Sequence, residues 1–170
     1  MNLDVTNLKI VLLSSNYDLS EFDCGDIGLN EFLKHDSFYY QDNCFARTFL
    51  ALYNNEIIGF FSLVNDSIKL KEDEKENLKN LSEYPSVKIA RLAIDKRKQG
   101  LGFGKLLIKI ALGIILECKH GASRFIVVDS YQNNLGFYEK LGFVSNLHKH
   151  YVNKEDYVSM RFDFLNPQQT

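Results

Sequence analysis

A mixed α/β fold, an α+β sheet of about seven strands with flanking helices, is what this sequence of 170 residues predicts, and three observations carry it. Two β-rich runs, 46–53 and 56–64, flank Asn54-Asn55, the signature of a tight hairpin. A glycine-rich octet, Arg97-Lys98-Gln99-Gly100-Leu101-Gly102-Phe103-Gly104, follows the strand-like run 87–94 and opens into an apolar helix pattern. A second helix pattern, 133–141, lies between a short buried-type strand and two closing strands. Hairpins make antiparallel pairs and helical crossovers make parallel ones, so the sheet is expected to be mixed.

Each element has a local reason. Residues 8–14 are β-rich, and Asp26 can cap a helix presenting Leu29, Phe32 and Leu33 on one face. The hairpin comes next. Residues 69–86 are crowded with Lys, Glu and Asn, and read as a solvated helix or loop, a surface insertion bridging to the central strand. Beyond the glycines, Phe103, Leu106, Leu107, Ile110, Ala111, Ile114 and Ile115 recur at helical spacing. Ile108 and Leu112 widen that stripe, as suits a helix packed on a sheet with little exposure. A strand over 124–129, the 133–141 helix, and a strand pair over 143–147 and 157–164 complete the chain. The sheet is expected to be antiparallel at first, and parallel where the glycine loop and the last helix intervene.

Composition narrows the class. The length suits one domain, 1–170, with 45% hydrophobic and 25% charged residues, the balance of a soluble globular protein. The N-terminus lacks a signal-peptide pattern, and the most apolar window, 106–116, is interrupted by Lys109 and too short to span a bilayer. A cytoplasmic protein without membrane association is expected. Cys24, Cys44 and Cys118 are odd in number and form no metal-like pair, so they read as reduced thiols. His148-Lys149-His150 lacks a third ligand and reads as surface strand, so no metal is expected. Asp129 reads as a cap for the turn after its strand.

A net charge of −2 gives no general attraction to nucleic acid, so such a substrate would need a local basic patch. Lys96, Arg97 and Lys98, then Lys119, His120 and Arg124, and finally His148, Lys149, His150 and Lys154 are the candidates. Phe38, Tyr39 and Tyr40 suit core or dimer surface, although an aromatic run can also stack a base.

The glycine octet is the chemical centre of the sequence. Its glycines let the chain turn sharply and leave no side chain between backbone N–H groups and a ligand. The unpaired N–H groups of the following helix, with its positive dipole end, then face an anion such as pyrophosphate. The spacing excludes two common motifs. A P-loop fails because Gln99 stands five positions before Gly104 and Leu106 follows Lys105; a dinucleotide fingerprint fails because Lys105 occupies the third glycine position. The remaining readings are a turn without a ligand, or Arg/Gln-x-x-Gly-x-Gly/Ala, with Arg97, Gly100 and Gly102 on the defining positions.

A second segment decides between them. Asn134-Leu135-Gly136-Phe137-Tyr138-Glu139-Lys140-Leu141-Gly142-Phe143, together with the loop, resembles the GNAT family of acetyltransferases. That resemblance implies the GNAT acyl-CoA fold, acetyl-CoA as cofactor, and direct transfer of acetyl to an acceptor amine. It places cofactor contacts on Arg97, Lys98, Gln99, Gly100, Leu101, Gly102, Phe103 and Gly104, and on Phe137. Backbone donors for the oxyanion fall around Leu92, Ala93 and Ile94. Tyr138 falls where the family donates a proton to the departing thiolate; in isolation it would read as packing beside Phe137 and Phe143. Where many members carry an asparagine seven residues before that tyrosine, this chain has Tyr131, and Asn134, one turn before Tyr138, can substitute.

Further segments, Phe22-Asp23-Cys24-Gly25, Leu29-Asn30-Glu31-Phe32-Leu33 and Ala90-Arg91-Leu92-Ala93-Ile94-Asp95, resemble one bacterial branch. That branch includes toxins of toxin–antitoxin pairs that acetylate the amino group of aminoacyl-tRNA. It implies aminoacyl-tRNA as acceptor, a small antitoxin partner and a homodimer. The alternatives are a small amine or protein amino group as acceptor, or a non-catalytic acyl-CoA sensor. No residue declares itself a general base, although Glu31, Glu56, Glu83 and Asp95 could each reach a cleft. An α-amine near pKa 8 needs less help than a lysine near 10.4.

Overall fold

A computed structural model describes residues 5–75, 78–117, 122–152 and 156–166. Seven strands are hydrogen-bonded in the order β1-β2-β3-β4-β5-β7-β6, with helices between them. They are β1 (Leu8–Leu12), β2 (Arg47–Tyr53), β3 (Glu56–Ile68), β4 (Tyr84–Ile94), β5 (Phe125–Tyr131), β6 (Val144–Ser145) and β7 (Tyr157–Asp163). The helices are α1 (Ile27–Glu31), α2 (Ser37–Asp42), α3 (Phe103–Glu117) and α4 (Leu135–Glu139). The chain divides into two compact units, Met1–Val64 with Ile89–Gly113 and Asn65–Lys88 with Ile114–Thr170.

In the first unit, β1 pairs antiparallel with β2, and β2 with β3. The hairpin turns at Asn54 and Asn55, with φ of 52° and 65°, both left-handed as a type I′ turn requires. Asp26 caps α1 as expected, accepting from the Leu29 N–H at 2.9 Å. The helical segment runs well past the expected stripe. A π-helical turn over Phe32–Asp36 connects α1 to α2, and Ser37 donates both its N–H to Phe32 O and its hydroxyl to Leu33 O. The extra residue shifts the helical phase so that Phe32, Leu33 and Ser37 are all buried. Phe32 stacks on Phe60 at 6.2 Å, and Phe22 meets Phe60 edge-on at 5.6 Å, in a core that also takes Leu13, Leu33, Leu50 and Ala93.

β3 approaches β4 closely where Gly59 stands. A Cβ there would lie 2.7 Å from Ala93 O and 2.8 Å from Ile94 Cδ1. The pairing of β2 with β3 skips Ile58, a bulge at Ala51/Leu52, and the Ile58 carbonyl instead accepts from the Asp95 N–H at 2.8 Å. The bulge thus ties β3 to the end of β4.

In the second unit, β4 and β5 pair in parallel from Ser86↔Phe125 to Lys88↔Val127, whereas β7 pairs antiparallel with both β5 and β6. β6 therefore runs parallel to β5, as the intervening helix required, but β7 lies between them. Residues 71–73 and 79–83 are exposed, as a solvated segment requires, but the stretch is anchored to the core near both ends. Leu70 and Tyr84 are buried with Ile68, Phe125 and Val127, and Glu74 bonds Arg161 at 2.7 Å. Apolar residues are sparse there, but each of these two reaches the core. Asp129 does not cap a turn; it binds Lys88 Nζ at 2.6 Å on the adjoining strand. His148 and His150 lie in a turn and not on a strand, and the described residues contain no group of three or more metal ligands. Cys24 is buried and Cys44 exposed, both as free thiols; Cys118 lies outside the described residues.

Gly59→Ala is expected to lower stability by about 1–3 kcal/mol, the usual cost of overpacking, because the added methyl meets rigid backbone. Urea titration should show a lower midpoint at unchanged slope, and an unchanged midpoint would refute the close approach.

Candidate active site

β4 ends at Ile94, and the residue after it, Asp95, organises the glycine loop. The Asp95 side chain is only 1% exposed and accepts four hydrogen bonds. Oδ1 takes the Arg97 N–H at 2.9 Å and Arg97 Nε at 2.8 Å, while Oδ2 takes Arg97 Nη2 at 3.0 Å and the Asp23 N–H at 3.3 Å. Burial by itself would raise the Asp95 pKa. The Arg97 guanidinium and the two backbone donors outweigh it and hold the carboxyl below its ordinary value. A carboxylate so occupied is a brace, not a base.

The brace extends outward. Gln99 donates through Nε2 to Cys24 O at 2.8 Å and Ile94 O at 2.9 Å. Lys96 N–H donates to Asp23 O at 2.8 Å, and Lys96 Nζ meets Asp23 Oδ2 at 2.7 Å. Asp23 also accepts from the Gly25 N–H and from Asn30 Nδ2, each at 2.8 Å, and these partners hold its carboxyl well below the usual range. The Phe22-Asp23-Cys24-Gly25 segment is therefore a strap across the start of the loop.

On this base the glycine loop turns into α3. Gly100 and Gly102 have φ of +74° and +92°, a region that side-chain-bearing residues rarely enter. A Cβ on Gly100 would have no atom within 4 Å, so the surface over the turn is open. Leu106 N–H bonds Gly102 O at 3.2 Å, so the N–H groups of the first turn of α3 precede the helical ladder. Leu101 is half exposed, and Phe103 is buried against Tyr53 at 5.7 Å, fixing the start of α3. The arrangement suits a pyrophosphate held by backbone N–H groups. Arg97 spends its side-chain donors on Asp95 and Gln99 on the Cys24 and Ile94 carbonyls, and Lys98 makes no ion pair among the described residues. At the end of β4, Leu92 is half-buried, and Ala93 and Ile94 are buried.

In the second unit, Tyr138 stands on α4. A short 3-10 turn, Gln132–Asn134, leads in, and Asn134 stands at the N-cap without a side-chain capping bond. Tyr138 packs edge-on to Phe137 at 5.1 Å and Phe143 at 5.6 Å. The Phe143 N–H bonds the Tyr138 carbonyl at 3.1 Å, which holds the turn beneath the ring. Burial pushes the phenol pKa up, so it is a protonated acid at neutral pH. Phe137 is 38% exposed, unlike a core aromatic.

Several charges serve structure. Of the basic clusters, Lys96 and Arg97 are paired with Asp23 and Asp95, and Arg124 is paired with Asp163 at 3.0 Å. Lys119, His120 and Lys154 lie outside the described residues. Among base candidates, Glu31 is exposed and lies 3.6 Å from His35, while Glu83 binds Ser67 and Lys69. Sequence reasoning did not find the bracing role of Asp23, whose partners Asp95 and Lys96 lie 72 and 73 residues away; no local pattern records such a contact.

Residues 28–164 match the family model described as the Acetyltransferase (GNAT) domain. A tRNA-acetylating toxin of Mycobacterium tuberculosis (strain ATCC 25618 / H37Rv) is 24% identical over 102 residues, covering 59% of this chain and 61% of that relative, less than two thirds of its length. Among solved structures, AtaT complexed with acetyl-methionyl-tRNAfMet superposes with a TM-score of 0.79 at 25% identity, over 92% of this chain and 94% of that chain. AtaTR bound with AcCoA gives 0.75 at 26% identity, over 93% and 94%. A tyrosine-to-phenylalanine mutant of KacT gives 0.80 at 22% identity, over 96% and 98%, a likeness of fold.

Asp95→Asn is expected to cost about 2 kcal/mol, because a charge-assisted network loses its anion. The wild-type contribution belongs to the ionised carboxylate, whose folded pKa is depressed. It is therefore present above the unfolded pKa near 3.9 and lost as pH falls through the folded value. Denaturation curves of the two proteins should keep a fixed gap from pH 6 to about 4 and narrow only as pH falls further, and a gap unchanged at pH 3 would refute the assignment.

Proposed function

Because this chain belongs to the GNAT acetyltransferase family, we propose that it transfers acetyl from acetyl-CoA to the α-amino group of aminoacyl-tRNA. The observation that carries the cofactor is the braced loop, with Gly100 and Gly102 in left-handed conformation before the first turn of α3. The acceptor rests on the likeness to AtaT, solved with acetyl-methionyl-tRNAfMet, and to the tRNA-acetylating toxin. A bacterial, cytoplasmic toxin with a small antitoxin partner, acting as a homodimer, belongs to the same reading. A tyrosine-to-phenylalanine mutant of AtaT has been solved bound to the C-terminus of the antitoxin AtaR. Among the described residues no helix is long and apolar enough to cross a membrane.

Acetyl-CoA supplies a thioester carbonyl as electrophile. The loop N–H groups hold its pyrophosphate, with Phe103 and the Asp95–Arg97 pair fixing the loop. Backbone groups of Leu92, Ala93 and Ile94 would supply the donors for an oxyanion; donors fixed in advance usually contribute most to catalysis. Phe137, exposed on α4, and Asn134 at its N-cap would contact the cofactor. Tyr138 protonates the leaving thiolate, a role its raised pKa supports. The occupied carboxylates at Asp95 and Glu83 favour an acceptor that needs no strong base, and an α-amine near pKa 8 meets that condition.

Purified protein with labelled acetyl-CoA should yield N-acetylaminoacyl-tRNA and stop translation in a cell-free system. Transfer to polyamines or protein lysines in preference to aminoacyl-tRNA would overturn the acceptor, and acetyl-CoA binding without transfer to any amine would make the protein a sensor.

Tyr138→Phe keeps the ring and its packing but removes the acid. The expected result is a fall in kcat of about 10²-fold, the low end of general-acid effects because solvent can protonate a thiolate. Acetyl-CoA affinity should be nearly unchanged. An unaltered kcat under single-turnover conditions would leave Tyr138 as a packing residue.

A further inference from the structure

Beyond the acetyl-transfer machinery, α2 and the turn after it build an exposed aromatic surface that the proposed chemistry does not use. Tyr39 is 61% exposed and Phe45 57%, unusual for large aromatic side chains. Tyr39, Tyr40 and Phe45 form an edge-to-face triad with centroids 6.3, 6.2 and 6.0 Å apart, and Tyr40 meets Phe32 at 5.5 Å. With more than half of each side chain exposed, Tyr39 and Phe45 keep ring surface open to a ligand.

The triad is held rigidly. Phe45 and Ala46 N–H groups both bond Tyr40 O, at 2.8 and 3.2 Å, and Asn43 Nδ2 bonds Tyr39 O at 2.9 Å. Cys44 adopts φ of 59° to close the turn. Beside it, the Arg91 guanidinium lies 3.6 Å over the Phe32 ring and 5.2 Å from the Tyr40 ring, with no carboxylate partner among the described residues. Arg91 stands on β4 two residues before Ala93, so this surface adjoins the reacting end of that strand.

Aromatic faces flanked by an unpaired guanidinium suit single-stranded nucleotides, whose bases stack on rings and arginine planes. Charge does not supply the attraction here, since Asp36 and Asp42 bound α2. Accepting aminoacyl-tRNA as acceptor, we propose that Tyr39 and Phe45, with Tyr40 and Arg91 beneath, form a stacking platform for the unpaired 3′ end of that tRNA.

The test uses full-length protein and tRNA carrying 2-aminopurine in place of its 3′-terminal adenine. Wild-type protein should quench the probe, and Tyr39→Leu with Phe45→Leu, which keeps apolar bulk but removes both rings, should weaken tRNA binding about 10- to 100-fold and abolish quenching. The slope of log K against log salt should stay the same, because no phosphate contact is lost. Acetyl-CoA affinity should also stay the same, and Tyr39→Trp should restore quenching. Full quenching by the leucine pair would overturn the platform while leaving the acceptor intact. A leucine pair that dissociates from dimer to monomer in sedimentation would also overturn it, making the surface an interface between copies. Wild-type protein that acetylates no aminoacyl-tRNA would instead overturn the acceptor reading on which the platform rests.

Discussion

One buried carboxylate holds the functional end of the first unit together. Asp95 sits where β4 stops, and its two oxygens collect the Arg97 backbone, the Arg97 side chain and the Asp23 backbone. Its own N–H is taken by the carbonyl of Ile58, the residue that the β2–β3 bulge leaves unpaired. An anion buried to this degree is stable only when its oxygens are satisfied, so the loop and the Asp23 strap must be in place together. Gln99 adds bonds from the loop to Cys24 and Ile94.

This division of labour changes how the loop's residue types are understood. Arginine and glutamine at 97 and 99 would be natural phosphate ligands by charge and polarity, yet Arg97 donates to Asp95 and Gln99 to the Cys24 and Ile94 carbonyls. An anion at the loop would be left the backbone N–H groups at the start of α3, after the left-handed glycines. Backbone donors need no side-chain ordering when a ligand arrives, which keeps the binding cost low. Tyr138 follows a similar rule on α4. Packing by Phe137 and Phe143 orients the ring and partly dries it, and that burial keeps the proton on its oxygen.

The acidic and basic residues also sort themselves by physical role. A sequence of net charge −2 carries 20 lysines and arginines, but several of those nearest the loop and along β4, β5 and β7 are committed to carboxylates. Pairs such as Lys88–Asp129 and Arg161–Glu74 cross between elements within the second unit and fix register and loop position. Recognition of a nucleic acid would therefore draw on ring faces and backbone as well as on charge.

What the sequence by itself determined is what short-range physics controls. Two asparagines at the hairpin, a capping aspartate before α1, glycines at alternate positions before an apolar stripe, and a Tyr-Glu-Lys-Leu-Gly-Phe ending on α4 each act within a few residues. Those features, with the family resemblance they carry, made the mixed sheet, the glycine turn into α3 and the family legible. Only the tertiary structure decided the rest, because it depends on contacts between distant segments. Asp23 meets Asp95 and Lys96 across more than 70 residues, Asp129 turns to Lys88 and not to its own turn, and residues 69–86 contribute Leu70 and Tyr84 to a core. The π-helical turn at Phe32 likewise answers to burial against Phe60, a packing demand that outweighs local helical periodicity.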